Sequence, residues 1–266
     1  MTHCLRLRQL AAVTLLAAVT ALLTACGDPR PEDITADWSA EQLYREGRRA
    51  LLDGGSNVAV EYYEKLEARY PYGKYTQQAR LDLGYAYFQN GQPDAAIEAA
   101  DRFITLYPLH PAVDYAYYLK GLVNFRREVS IFERFMPQDL AERQMVTTRR
   151  AFEDFLVLLR LFPDSRYAED ARQRMVFLRN QLARHEMAVA DYYMRRGAYV
   201  AVANRAKYVL EHYPNTPETP RALALLVKSY RLLDLPQLAQ DSLRILGANY
   251  PGHPETEAAA SFSVVN

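Results

Sequence analysis

The stretch Leu81-Asp82-Leu83-Gly84-Tyr85-Ala86-Tyr87-Phe88, then Asn90-Gly91-Gln92-Pro93, then Asp94 through Leu106 to Tyr107-Pro108, decides the fold. Its opening residues read as one amphipathic helix. Asn90 to Pro93 read as a turn, because Gly tolerates positive φ and Pro cannot donate a backbone hydrogen bond. Asp94 to Leu106 form a second helix, stopped where Pro108 lacks an N–H and turns Tyr107 away from helical angles. Gly84 and Ala96 stand where the two helices cross, since larger side chains there would force the axes apart. Tyr87 and Phe103 fill the space that remains.

The aromatic-Pro pair closing this unit occurs five times: Tyr70-Pro71, Tyr107-Pro108, Phe162-Pro163, Tyr213-Pro214 and Tyr250-Pro251, at spacings of 37, 55, 51 and 37 residues. Twelve residues before the Pro stand Ala59, Ala96, Ala151 and Ala239, with Val202 in the fourth copy. Tyr87, Tyr193 and Tyr230 stand 21 before it, and Gly47 and Gly84 stand 24 before it. Fixed offsets in separate copies mark a true repeat rather than a generic bundle with accidental Tyr-Pro pairs. Leu83-Gly84-x-x-Tyr87, Ala96 and Pro108 resemble the tetratricopeptide repeat, which implies an all-α superhelix of stacked helix pairs.

On this reading the repeats run 38–71, 75–108, 112–163, 164–214 and 218–251, with a flexible tail at 252–266. The two long spacings locate additions. Gly121 lies 42 residues before Pro163, 18 more than the repeat requires, which is about five helical turns. The insertion falls near 126–146, where Phe132, Phe135 and Met136 cluster before Pro137. The fourth spacing holds 14 extra residues, and no Gly or Pro interrupts Asp164 to Arg196, so one long helix enters repeat four. Additions close to whole turns keep the helix faces in phase.

The N-terminus is a targeting segment. Residues 1–25 carry Arg6 and Arg8 and then an uncharged apolar run from Leu10 to Leu23, too short to span a bilayer as a helix. The run ends Leu23-Thr24-Ala25-Cys26, which resembles the bacterial lipobox, so cleavage before Cys26 is expected to leave a thiol that takes diacylglycerol and an N-acyl chain. A Pro- and acid-rich flexible tether over residues 26–37 follows. Gly27, rather than Asp, follows the cysteine, which points to the outer membrane under the family's sorting rule. With Cys4 lost and Cys26 acylated, no cysteine remains for a disulfide, a metal or a nucleophile.

Composition narrows function further. The 266 residues hold 32 Lys+Arg against 32 Asp+Glu, so no net positive charge draws the chain to nucleic acid. Losing Arg6 and Arg8 with the signal leaves 30 basic against 32 acidic residues. His110, His185, His212 and His253 lie apart, His185-Glu186 lacks a second His at metal-ligand spacing, and no Gly-x-Ser-x-Gly occurs. Gly54-Gly55-Ser56 lacks the Gly-Lys-Ser/Thr ending of a phosphate loop and reads as a turn. The expectation is a chain without catalytic residues, metal or other cofactor.

What such an array offers is a concave wall built by the first helix of each pair. Register places Tyr44, Arg48 and Leu51 there from copy one, Leu81, Tyr85 and Phe88 from copy two, and Tyr118, Leu122 and Phe125 from copy three. Twenty tyrosines against ten phenylalanines suit surfaces that bury a ring yet keep a polar tip. Read from the residues alone, each ring serves equally well as packing between repeats.

The lipobox, the five repeats, Tyr70-Pro71-Tyr72-Gly73, Asp101-Arg102-Phe103-Ile104, Asp114-Tyr115, Gly121-Leu122 and Arg196-Gly197-Ala198-Tyr199-Val200-Ala201-Val202-Ala203-Asn204-Arg205 together resemble the BamD (YfiO, ComL) family of outer-membrane assembly lipoproteins, from Cys26 to about Pro251. The resemblance implies a non-enzymatic subunit of the β-barrel assembly machinery on the periplasmic face of the outer membrane, alongside other lipoproteins of that machine. It implies C-terminal repeats docked on the POTRA domains of a BamA-like barrel protein, with Asn204 and Arg205 at the contact and Arg205 paired to a POTRA acid. It also implies N-terminal repeats that meet unfolded barrel precursors, with Tyr70, Tyr72 and Gly73 in the contact region. From the residues alone, Arg205 is a surface charge, and Tyr70 to Gly73 are a helix stop and turn. A pilotin-like lipoprotein escorting a secretin is the alternative on the same fold. A peptidoglycan-acting enzyme lacks an acid, base or metal set.

Overall fold

A computed structural model describes the chain over residues 33–129 and 138–264. The signal segment, Cys26 and the apolar cluster Phe132 to Pro137 lie outside the described residues. Within them are eleven helices: α1 Ala40–Leu52, α2 Ser56–Arg69, α3 Lys74–Gln89, α4 Pro93–Leu106, α5 Val113–Val129, α6 Gln138–Leu161, α7 Ala168–Arg195, α8 Tyr199–His212, α9 Thr219–Leu232, α10 Pro236–Asn249 and α11 Pro254–Ser261. The first ten form five antiparallel pairs, a tetratricopeptide-type superhelix.

Local chemistry sets the boundaries. Ser39 Oγ accepts from the Gln42 N–H at 3.2 Å and caps α1, while Pro93, Pro236 and Pro254 open helices where a missing N–H is harmless. At the other end, Tyr70, Tyr107, Tyr213 and Tyr250 take φ between −128° and −134°, the extended bias that the following Pro imposes. The second helices α2, α4, α8 and α10 are each 14 residues long, whereas α6 has 24, so the repeat-three addition lengthens a helix. The long helix α7 begins at Ala168 rather than Asp164, because Ser165 and Tyr167 belong to a turn in which Ser165 Oγ donates to Asp114 at 2.6 Å.

Each core cluster joins a first helix, its partner and the next first helix. Leu43, Tyr63, Leu66 and Leu83 unite α1, α2 and α3; Phe88, Phe103, Leu119 and Val123 unite α3, α4 and α5. The 28 residues of α7, about 42 Å of helix, belong to two clusters. Ala171 and Leu178 pack with Phe155 and Leu158 of α6, and Leu182, Met187 and Ala190 pack with Val202 and Val209 of α8 and Leu226 of α9. The positions twelve before each Pro, Ala59, Ala96, Ala151, Val202 and Ala239, are all buried. At Gly121 an added Cβ would sit 2.5 Å from Phe155 Cε1, and at Gly47 it would sit 2.7 Å from Tyr63 Cε1. These are therefore sites of close helix approach.

The flexible tail expected over 252–266 is corrected for 253–262. His253 caps α11 by accepting from the Glu255 N–H at 3.2 Å, and Ala259 is buried among Leu223, Val227 and Leu246. Arg231 of α9 donates to the carbonyl of Ala259 at 3.0 Å and to that of Phe262. The last five residues of the expected tether are likewise held rather than free. Asp33 pairs with Arg69 and with Lys65 at 3.1 Å, Arg69 also donates to the Thr35 carbonyl, and Thr35 is buried. No described helix is long and apolar enough to cross a membrane.

Candidate functional site

The first helices touch one another in series, α1 with α3, α3 with α5, α5 with α7 and α7 with α9, so they form the inner wall. Two Tyr–Asp bonds tie consecutive members of that wall. Tyr44 of α1 donates to Asp82 Oδ2 of α3 at 3.0 Å, and Tyr118 of α5 donates to Asp170 Oδ2 of α7 at 2.7 Å. Burial raises the Asp82 carboxyl above its usual range, against the opposing bonds from Gln78 and Tyr44. Burial also acts to raise Asp170, but the bonds from Arg174 and Tyr118 outweigh it and hold that carboxyl below its usual range. Tyr118 is pushed up to about 12, by burial first and then by its bond to Asp170.

Around these bonds the wall divides into two aromatic clusters. In the first, Tyr44 lies beside Tyr75 and Tyr63, ring centroids 5.8 and 6.1 Å away, and exposed Arg48 donates to the Tyr44 hydroxyl at 3.0 Å. In the second, Tyr118 stacks on Tyr167 at 4.6 Å, Phe125 meets Phe177 edge-on at 5.8 Å, and the Arg174 guanidinium lies 4.7 Å from the Phe125 ring. Tyr85 stands between the clusters, half-buried, accepting from Gln89 at 2.6 Å. The expectation that Phe88 lines the groove is corrected. Its ring is 8% exposed, packed into the core shared by α3, α4 and α5, with the exposed Arg126 guanidinium 4.9 Å above it.

Tyr70, Tyr72 and Gly73 are not part of this wall. They form the loop between α2 and α3, where Tyr70 donates to the Trp38 carbonyl at 2.9 Å and Gly73 takes a φ of +118° that only glycine adopts easily. Tyr72 is 89% exposed. Asp82, Asp170, Arg174, Tyr167 and Phe177 were not expected in the wall. A signal for the two acids did exist: the Tyr–Asp separations of 38 and 52 residues each exceed by one the local spacings of consecutive aromatic-Pro pairs, 37 and 51.

In the C-terminal half, Asn204 and Arg205 lie exposed on α8. Arg205 Nη1 donates to Glu186 Oε2 of α7 at 3.1 Å, and Arg149 of α6 reaches Glu186 Oε1 at 4.0 Å. The Glu186 side chain is only 6% exposed, whereas that of Arg205 is 44% exposed. Arg205 is thus one face of a pair whose other face is buried, rather than an isolated surface charge. Among the described residues no group of three or more His, Cys, Asp or Glu converges to hold a metal ion.

The sequence is similar to known proteins over nearly its whole length. The family model YfiO, described as outer membrane lipoprotein, matches residues 36–245. A Neisseria gonorrhoeae protein named outer membrane protein assembly factor BamD is 43% identical over 242 residues, covering 91% of each chain. Proteins with the same name from Xylella fastidiosa and Vibrio cholerae are 37% and 33% identical, covering 91% and 88% of this chain and 83% and 97% of theirs.

Proposed function

This chain belongs to the YfiO family of outer-membrane lipoproteins and is an outer-membrane protein assembly factor of the BamD type; on that premise we propose that it works without catalysis, as a scaffold in the β-barrel assembly machinery. The observation that carries the reading is the match over residues 36–245, which takes in the whole inner wall and the Glu186–Arg205 pair. Cys26 carries the N-acyl diacylglycerol, and the body lies on the periplasmic face of the outer membrane beside the machine's other lipoproteins.

The N-terminal repeats engage unfolded barrel precursors. Rings of Tyr44, Tyr85, Tyr118 and Phe125, with Arg48 beside Tyr44 and Arg174 beside Phe125, suit a peptide end that carries an aromatic side chain and a carboxylate. The C-terminal repeats dock on a BamA-like barrel protein through its POTRA domains at Asn204 and Arg205. An acid from that partner meets a guanidinium already oriented by Glu186, which lowers the entropy lost on docking.

The test captures the tagged, full-length lipoprotein from detergent-solubilised envelopes and identifies the chains that come with it, for wild type, Arg205→Lys and Arg205→Glu. A POTRA-bearing barrel protein recovered with wild type and lost with Arg205→Glu is the expected result. Recovery with all three removes Arg205 from the contact, and recovery of a secretin alone moves the chain to the pilotin-like role.

A further inference from the structure

Because the helices alternate in direction, the loops that join one pair to the next all emerge on one edge of the array. Contacts link the segment that leads into α1 and three of these loops in series. Arg69 and Tyr70 bond the carbonyls of Thr35 and Trp38. Arg80 donates to the Pro71 carbonyl at 3.3 Å and to the Tyr107 hydroxyl. Beyond Tyr107, Pro108 to Pro111 and Leu161 to Ser165 line one open cavity of about 510 Å³. This edge bears large apolar side chains that none of the described residues covers. Ile34 is 80% exposed and Leu109 95%, Tyr72 projects between them in the loop order, and Leu106 and Leu161 are half exposed. Exposed side chains of this size recurring along one edge mark an interaction surface. The opposite edge of the first two repeats is polar: it turns through Asp53-Gly54-Gly55-Ser56-Asn57 and Gln89-Asn90-Gly91-Gln92, with Leu52 its most exposed aliphatic side chain.

The chain leading back to Cys26 leaves from this same edge. Asp33 is fastened to Arg69 and Lys65 at the end of α2, and six residues, or seven Cα–Cα steps, separate it from Cys26. At about 3.5 Å per step they reach about 25 Å at most, so an acyl group on Cys26 keeps Asp33, and with it the N-terminal end of this edge, within that distance of the bilayer. We propose that the edge formed by Ile34, Tyr72, Leu106, Leu109 and Leu161 rests on a phospholipid surface, with Tyr72 and Leu109 entering the boundary between headgroups and acyl chains. The proposal rests on acylation of Cys26. Tyrosine suits that boundary, its ring in the apolar layer and its hydroxyl among headgroups, and Leu109 adds apolar area. One lipid anchor fixes position but leaves the body free to tumble about the tether; apolar tips along the tethered edge remove that freedom and leave the inner wall standing upright from the membrane.

The test uses the full mature lipoprotein in vesicles of phosphatidylethanolamine and phosphatidylglycerol, with or without bromine on the acyl chains. In a Trp38→Phe background the indole is placed by Leu109→Trp or, on the opposite edge at similar exposure, by Leu52→Trp. The expected result is that the Leu109→Trp indole emits at shorter wavelength and loses most of its emission to brominated lipid, while the Leu52→Trp indole does neither. Equal quenching, or none at either position, overturns the proposal. An edge that stays in water in vesicles yet crosslinks to protein in intact envelopes is a protein interface, which also overturns it. Intact mass separates the two layers of the argument: a chain without acyl groups refutes the anchor, and an acylated chain with a water-exposed Leu109→Trp indole refutes the edge alone.

Discussion

Gly121→Ala tests the helix-crossing geometry directly. The new Cβ would lie 2.5, 2.6 and 2.9 Å from Phe155 Cε1, Cδ1 and Cζ, where carbons normally rest at about 3.5 to 4 Å. The ring must therefore retreat by about 1 Å. It has nowhere to go, being fully buried against Ala151, Leu158, Ala171 and Leu178. Alanine returns about 1 kcal/mol of helix propensity, whereas overpacking costs about 1 to 3 kcal/mol. The net expectation is a loss of up to about 2 kcal/mol, or up to about 8 °C in Tm for a body of this size. Gly247→Ala supplies the opposite sign, since nothing lies within 4 Å of its added Cβ and only the propensity gain remains. Urea and thermal unfolding of the mature chain with Cys26→Ser, followed by helical circular dichroism, measures both. If Gly121→Ala gained as much stability as Gly247→Ala, the close approach of α5 to α6 would be refuted, and local space would not be what separates the two sites.

The two wall carboxylates respond oppositely to charge removal. Asp82, raised by burial, withholds stability once pH climbs through its folded pKa, so Asp82→Asn stabilises at neutral pH and the gain fades in acid; Asp170, lowered, contributes stability above its unfolded pKa that is lost as pH falls through its folded pKa, so Asp170→Asn destabilises at neutral pH. Urea midpoints from acid to neutral pH check both signs. Arg205→Ala leaves Glu186 buried with, among the described residues, Arg149 at 4.0 Å as its remaining ion-pair partner, costing about 1 to 2 kcal/mol after allowing for the exposure of Arg205, and adding Glu186→Gln restores most of it; a double variant as unstable as the single one removes the pair as the cause. Arg231→Ala frees the Ala259 and Phe262 carbonyls, so limited proteolysis releases the C-terminal segment while the five helix pairs stay protected; unchanged cleavage there argues against the tie.

The helix pairs were legible because their signals are local. An aromatic-Pro stop, a Gly-containing turn and a small residue twelve positions before the Pro report on one unit and its own crossing. The long helix through repeat four followed from an uninterrupted run, and only its first turn was misplaced, by the Ser165–Asp114 bond from another repeat. Contacts between units were harder to read. Phe88 occupies the register of a wall residue, yet α5 folds over it, which no offset within repeat two reveals. The Tyr44–Asp82 and Tyr118–Asp170 bonds likewise depend on how far each first helix is displaced along the superhelix. The docked segments at 33–37 and 254–261 carry weak hydrophobic patterns of their own and are held by long-range partners, Arg69 and Lys65 for the first and Arg231 with the burial of Ala259 for the second.

A stack of identical units has no natural last member, for the face that buries one neighbour is ready to bury another. Here α11 occupies the place where a sixth pair would begin, with Ala259 filling the site on α9 and α10 and with Glu257 and Ser261 turned to solvent. Its eight residues present little apolar surface on their outer side, as a capping element does. The same short helix covers apolar surface on α9 and α10 that the repeat pattern would otherwise leave bare, so the described array meets water there with a polar face.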